Sequence, residues 1–403
     1  MFSHLQIPNR RERAIVGTAD LALDAAAGLA RLFHNRRSDT PPARVLVLRL
    51  ERIGDLLMVI AAIRRLKELL PRAEIDLAVG SWNRTLAGLI PGITRTEVVD
   101  APWLSREAGA MTHPRLIARA LTWRERQYDM VLNFEPDIRS NFLAWLSGAQ
   151  RRLGYSTGGG GAFLTEALSY DPRVHVSDNA MRLVAVAAGH SAHAGTLPPR
   201  PASPLIEPAS VPAAVRMLDG RSGLLIGVHA SGGRAVKQWP HERFRELAQR
   251  LIDQYDATIV FTGSTADRPL VDAAMAGLPR DRVVDASGGL ELPELAWLVT
   301  RLRLFISGDT GPMHLAHAAG TPVVAIFGPS DPVRYAPRGA HDRVVRIDLA
   351  CSPCNRIRQP PARCTGGTPD CLAGVPVEAV MSAVADVLGR PVQLRRAVEG
   401  IRE

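Results

Sequence analysis

The run Arg52-Ile53-Gly54-Asp55 follows directly on an apolar, strand-like stretch and leads straight into a helical pattern. Open α/β sheets bind ligands at the carboxyl ends of their strands, so a carboxylate there can take the proton from a hydroxyl attacking an electrophilic carbon. The same placement also suits a helix-capping role for Asp55. In the second half, a strand-like run ends in His229-Ala230-Ser231-Gly232-Gly233 and continues to Lys237-Gln238-Trp239-Pro240. Ser231, Gly232 and Gly233 are small enough for backbone N–H groups to approach an anion, and Lys237 is the candidate phosphate cation. The spacing is neither that of a Walker A loop nor that of the dinucleotide fingerprint.

The most specific run is Ser307-Gly308-Asp309-Thr310-Gly311-Pro312-Met313-His314. Pro312 marks a helix start, and the helix N-terminus would favour a diphosphate. Thr310 and Gly311 offer donors, Asp309 orients the loop or accepts from sugar hydroxyls, and His314 lies at the same end. Asp267 closes another strand-like run, where it either receives ribose hydroxyls or caps a helix. The chain's four cysteines, Cys351, Cys354, Cys364 and Cys371, fall as C-x2-C-x9-C-x6-C in a proline-bearing loop. Three readings stay open for them: a structural zinc or iron ion, free thiols, or a redox or disulfide state.

The elements that must position these residues are legible from periodicity. Length alone, 403 residues, argues for two domains. Residues 1–43 read as an amphipathic helical extension, with Ile15, Ala19, Ala22, Ala26, Leu29 and Phe33 along one stripe. Residues 44–190 alternate strands (45–50, 75–79, 97–99, 130–133) with helices (56–70, 85–89, 116–123, 142–146). A proline-rich linker is expected over 191–222. The alternation restarts over 223–390, with strands at 224–228, 258–261, 282–284, 304–306 and 323–326, and a last helix at 377–388 follows the cysteine loop 351–371. Residues 391–403 read as a tail. Strand–helix alternation implies an α/β class with parallel sheets covered on both faces, two doubly wound domains in all.

Hydrophobic residues make up 46% and charged residues 22%, which excludes a disordered chain or a coiled-coil rod. There is no apolar run of about 20 residues and no signal-peptide pattern, so a cytoplasmic location is expected. The net charge is +9, and Lys67 and Lys237 are the only lysines. This balance suits phosphate- or carboxylate-bearing partners. With 5% aromatics and no basic–aromatic interleaving, nucleic acid is not the expected one.

Together the Arg-x-Gly-Asp start, Tyr128-Asp129 with Arg152-Leu153-Gly154-Tyr155 downstream, Lys237-x-Trp239-Pro240, and Gly308-Asp309-Thr310-Gly311-x-x-His314 resemble the bacterial ADP-heptose heptosyltransferases of glycosyltransferase family 9. The resemblance spans residues 44 to about 388. It implies a GT-B architecture, two Rossmann-like domains facing a central cleft, the acceptor held by the first and an ADP-sugar by the second. It also implies Asp55 as catalytic base, Lys237 as the diphosphate lysine, and Asp309, Thr310, Gly311 and His314 as the donor loop, with no cofactor required. The cysteines recur at this place in parts of the family, whose protein-modifying branch is associated with cysteine-bound iron. Family members often carry hydroxyl residues where Gly232 and Gly233 stand, and a glutamate where Asp267 stands. The expected acceptor is lipopolysaccharide core or a related surface glycan at the inner face of the cytoplasmic membrane, with peripheral membrane contact. Arg64, Arg65, Arg119, Arg124, Arg126, Arg139, Arg151 and Arg152 would suit a phosphorylated or Kdo-bearing acceptor. A protein acceptor of autotransporter type and a non-catalytic nucleotide-sugar-binding protein are the alternatives. A nicotinamide dehydrogenase is disfavoured, because Gly-x-Gly-x-x-Gly is missing after both first strands.

Overall fold

The computed structural model describes residues 5–7, 9–31, 41–104, 111–190, 204–209, 211–221 and 223–389. The chain divides into two compact units, Met1–Glu207 and Pro208–Glu403. The first holds strands β1 (Arg44–Leu48), β2 (Glu74–Val79), β3 (Arg95–Val98), β4 (Met130–Asn133), β5 (Arg151–Tyr155) and β6 (Glu166–Leu168). They form one parallel sheet in the order β3-β2-β1-β4-β5-β6. The second holds β7 (Leu225–His229), β8 (Thr258–Gly263), β9 (Val283–Ser287), β10 (Leu304–Gly308), β11 (Val323–Ile326) and β12 (Arg343–Val345), in the order β12-β11-β10-β7-β8-β9. Both sheets are therefore wound alike, with the order reversing between β1 and β4 and between β7 and β10. At such switch points the loops leaving the two central strands diverge and open a crevice.

The central strands are apolar on both faces because helices cover both. Val45, Leu46, Val47 and Leu48 of β1 are all fully buried, as are Leu304, Phe305 and Ile306 of β10. Asp129 fixes where β1 begins, its Oδ2 accepting from the N–H groups of Ala43 and Arg44 at 2.8 and 2.9 Å.

Several elements escape the sequence patterns. β5 opens on two arginines and carries Gly154, β6 and β12 are three residues each, and the helix Val176–Ala187 is buried nearly all round, so none shows a clear period. The expected linker over 191–222 contains the helix Pro212–Met217, while residues 191–203, like the expected tail 391–403, lie outside the described residues.

The N-terminal helix, Arg10–Arg31, corrects its expectation in a different way. Its packed face carries Val16, Gly17 and Asp20, and Asp20 Oδ1 accepts from Gly160 N–H at 2.6 Å. Val16 lies over Gly159, where a Cβ would come within 2.4 Å of the Val16 methyl and where φ is +89°. Of the expected apolar stripe, Ile15, Ala19 and Ala22 face outward, Ile15 being 72% exposed, and neighbouring Leu21 is 59% exposed. No described helix is long and apolar enough to cross a membrane.

Candidate active site

In the first unit the crevice between β1 and β4 is lined by the segments that follow those strands. Asp55 stands in the first turn of the helix Ile53–Leu69, where its Oδ2 accepts from Arg52 N–H at 3.1 Å. The capping role is therefore real, and it leaves Oδ1 at 3.7 Å from a terminal nitrogen of Arg49, with a third of the side chain exposed. Arg49 itself is buried, and it pairs with Glu51 at 2.7 Å and donates to the carbonyls of Phe134 and Asp55 at 3.0 and 3.1 Å.

Glu135, just past β4, accepts from Leu50 N–H. Burial and the Glu51 charge push its carboxyl up to about 8, against the opposing pull of Arg49 and of that N–H. Around this core, the Arg52 guanidinium lies 5.2 Å from the Trp82 ring, and Arg139 lies 4.7 Å from the Trp103 ring while paired with Asp137.

Arg49, Glu51 and Glu135 were missed by sequence reasoning, although a signal existed: each is a charged residue set against the end of an otherwise apolar strand. Glu135 also gives a stability prediction with a definite sign. Its folded value lies above its unfolded one, so the folded chain keeps a proton that the unfolded chain releases, and stability is lost as pH rises toward about 8. Glu135→Gln should remove that loss. The variant's denaturation midpoint is expected to gain on the parent's between pH 5 and pH 9, and a gap independent of pH would refute the assignment.

In the second unit, the crevice between β7 and β10 brings the predicted residues together. Trp239 is buried edge-on against Phe244 at 4.8 Å and donates to the Val375 carbonyl at 3.1 Å. This anchor, followed by Pro240 and the helix His241–Tyr255, holds the preceding turn so that Lys237 reaches Asp309, with Nζ at 2.8 Å from Oδ2 and the lysine side chain 19% exposed. Gly232 has no room for a Cβ, which would come within 2.8 Å of the Lys237 carbonyl. The close approach of the Lys237 carbonyl therefore requires glycine at this position. Gly233 has a left-handed φ of +63°.

Burial alone would raise the Asp309 carboxyl, but Lys237, His314 and a hydrogen bond from Ser330 together hold it below the usual aspartate value. His314 is pushed down to about 4 by burial, against Asp309, and is neutral at pH 7. Thr310 caps the helix Gly311–Ala318, its Oγ1 accepting from Met313 N–H and lying 2.9 Å from Ser307 Oγ.

Asp267 is held differently from the Asp309–His314 turn. Its Oδ1 accepts from Ser231 Oγ at 2.5 Å and its Oδ2 from Ser264 N–H and Oγ at 2.8 and 2.6 Å. Capping is therefore its observed role, and it ties Ser231 to the end of β8.

Two further expectations change. The four cysteines do line one pocket of about 250 Å³, together with Arg356 and Arg363. All four are free thiols, and burial together with the other three pushes the Cys371 thiol up. No three His, Cys, Asp or Glu among the described residues are grouped to hold one ion, so the donors as placed do not fit the expected zinc or iron. The eight arginines expected to receive an anionic acceptor are each engaged within the fold. Arg65, Arg119, Arg126, Arg139 and Arg151 pair with Glu68, Glu97, Asp76, Asp137 and Glu166. Arg64, Arg124 and Arg152 donate to backbone carbonyls of Pro204, Leu146 and Phe163.

Residues 117–363 match the model of glycosyltransferase family 9 (heptosyltransferase). The chain belongs to that family. As a family 9 glycosyltransferase it is 25% identical to the lipopolysaccharide core heptosyltransferase OpsX of Haemophilus influenzae over 316 residues, 76% of this chain and 85% of that one. It is 26% identical to lipopolysaccharide heptosyltransferase 2 of Salmonella typhimurium over 321 residues, 75% and 88% of the two chains. Its fold is that of the solved E. coli ADP-heptose lipopolysaccharide heptosyltransferase II, with a TM-score of 0.67 at 22% identity over 86% of this chain and 99% of that one.

Proposed function

We propose that this family 9 glycosyltransferase moves a heptose from ADP-heptose to a hydroxyl of lipopolysaccharide core, with inversion at the anomeric carbon. The acceptor oxygen forms the new bond to that carbon as the bond to the diphosphate oxygen breaks. Asp55 takes the hydroxyl proton, and ADP leaves with the electron pair. Lys237 and the Thr310–Gly311 turn meet the growing charge on the leaving diphosphate, with Ser231, Gly232 and Gly233 lining the same crevice of the second unit. Asp309 keeps Lys237 aimed, and neutral His314 exchanges hydrogen bonds without adding charge. Asp267 supports Ser231 and keeps one lone pair, on Oδ1, for a ribose hydroxyl. The reaction so written uses no cofactor beyond the donor.

The observation that carries this reading is the Lys237–Asp309 pair at the β7/β10 switch point, beside the capped helix Gly311–Ala318. Its test is calorimetric titration of the full chain with ADP, UDP, GDP and ADP-heptose. Selective binding of ADP and ADP-heptose is expected, and preference for UDP or GDP would overturn the donor assignment. Binding of ADP-heptose without transfer to any acceptor would favour a nucleotide-sugar-binding protein instead.

The acceptor is a lipid, and the N-terminal helix supports a peripheral site for the enzyme on the inner face of the cytoplasmic membrane. Ile15 and Leu21 project outward among exposed alanines, next to Arg10 and Arg11 at the helix start. An apolar face flanked by cations suits an anionic lipid surface. Flotation with vesicles of phosphatidylglycerol should recover the parent chain and lose the Ile15→Glu, Leu21→Glu double variant. Equal flotation of both would remove this helix from the contact.

A further inference from the structure

Arg49 stands where the ends of β1 and β4 meet, and the function proposed above does not use it. Its Nε donates to the Asp55 carbonyl at 3.1 Å and one terminal nitrogen lies 3.7 Å from Asp55 Oδ1. The other terminal nitrogen is 2.7 Å from Glu51 Oε2 and donates to the Phe134 carbonyl at 3.0 Å. A single planar fork thus grips both the backbone and the side chain of the first helical turn. One guanidinium also feels three carboxyls, those of Glu51, Asp55 and Glu135, and the Tyr170 phenol. Glu135 in turn faces Arg49 and Glu51 from the segment after β1, and Asp137 from its own.

From this juxtaposition we infer that Arg49 is the positioning residue of Asp55, and that Glu135 decides how much of the Arg49 charge Asp55 receives. With Glu135 protonated, Arg49 is shared between Glu51 and Asp55. Once Glu135 ionises, a buried anion beside the same guanidinium draws it toward β4 and away from the base. The inference rests on Asp55 acting as base, and it assigns the alkaline limit of the reaction to a carboxyl that touches neither substrate.

The test measures kcat and KM for ADP-heptose, with a Kdo-bearing lipid acceptor, across pH 6 to 10 for the full chain and its Arg49→Met, Arg49→Lys, Glu135→Gln and Asp55→Asn variants. Arg49→Met should lower kcat about 100-fold and leave the donor KM within about twofold, the signature of a misplaced base rather than a lost ligand contact. Arg49→Lys should recover about tenfold of that loss, since it restores the charge without the fork. The parent should lose rate above pH about 8, where Glu135 ionises. Glu135→Gln should hold its rate to higher pH.

A kcat for Arg49→Met within about threefold of the parent, or a fall in donor affinity parallel to that in kcat, would overturn the positioning role. An unchanged alkaline limb in Glu135→Gln would overturn the role of Glu135, and this arm stands even where Arg49→Met does not fold. Transfer persisting in Asp55→Asn would instead remove the base assignment, so the two failures are told apart.

Discussion

Asp55→Asn is expected to cut the transfer rate by about 10²- to 10⁴-fold, the usual worth of a positioned general base, while ADP binding stays within about twofold of the parent. The two halves of this result have separate causes. An asparagine side-chain oxygen can still accept from Arg52 N–H, so the first turn of the helix Ile53–Leu69 keeps its cap and the unit keeps its fold. What the amide cannot do is receive the acceptor proton. ADP recognition is assigned to residues of the second unit, Lys237 and the Asp309–His314 turn, which this substitution leaves unaltered. Single-turnover rates with ADP-heptose, set beside ADP calorimetry, check both halves. A variant that transfers at the parent's rate would show that the proton goes elsewhere, and one that loses ADP binding as well would show a structural role.

Lys237→Ala is expected to have the second large effect, weakening ADP binding and lowering kcat by about 10²- to 10³-fold, as when one preorganised donor to a developing oxyanion is removed. It also changes the protein without ligand. Asp309 is largely buried and owes its depressed value to Lys237 before His314, so removing the ammonium leaves a carboxylate without its nearest counter-charge. A carboxyl whose folded value is depressed stabilises the fold above its unfolded value, and that contribution is lost as the pH falls through the folded value. The stability gap between parent and Lys237→Ala should accordingly be open at pH 7 and narrow below about pH 4. Denaturant midpoints measured from pH 3 to 7 check this, and a gap that stays constant over that range would mean that the ion pair contributes nothing to folding.

The two sheets were legible because their central strands are short, predominantly apolar runs such as Val45–Leu48 and Leu304–Ile306, bounded by the Gly-Asp and Gly-Gly turns where the chain must reverse. For the same reason the sequence places Asp55, Asp309, Thr310 and His314 just beyond strand ends, and Lys237 in the loop that follows β7. What the sequence concealed depends on contacts made across long separations. Glu135 and Leu50 are brought together only because β1 and β4 pair, and Arg49 reads as one arginine among many until the Asp55 and Phe134 carbonyls close around it. The eight arginines of the first unit misled for a related reason: charge counted along a chain does not say which cations the fold itself consumes. The N-terminal helix misled through its own periodicity. Ile15, Ala19 and Ala22 of the expected stripe face outward because Asp20, bonded to Gly160, sits on the packed face, while the side chains of Ala26, Leu29 and Phe33 lie outside the described residues. The cysteines illustrate the limit of spacing, since four thiols brought to one pocket still do not make a coordination sphere.

The measurement that bears most directly on heptosyl transfer is mass spectrometry of a Kdo-bearing lipid acceptor incubated with the full chain and ADP-heptose, with released ADP quantified in the same reaction. The expected result is a gain of one heptosyl unit on the acceptor, matched mole for mole by ADP and absent with Asp55→Asn. ADP release without a heptosylated acceptor, or a heptosylated acceptor that forms equally well with Asp55→Asn, would contradict the account.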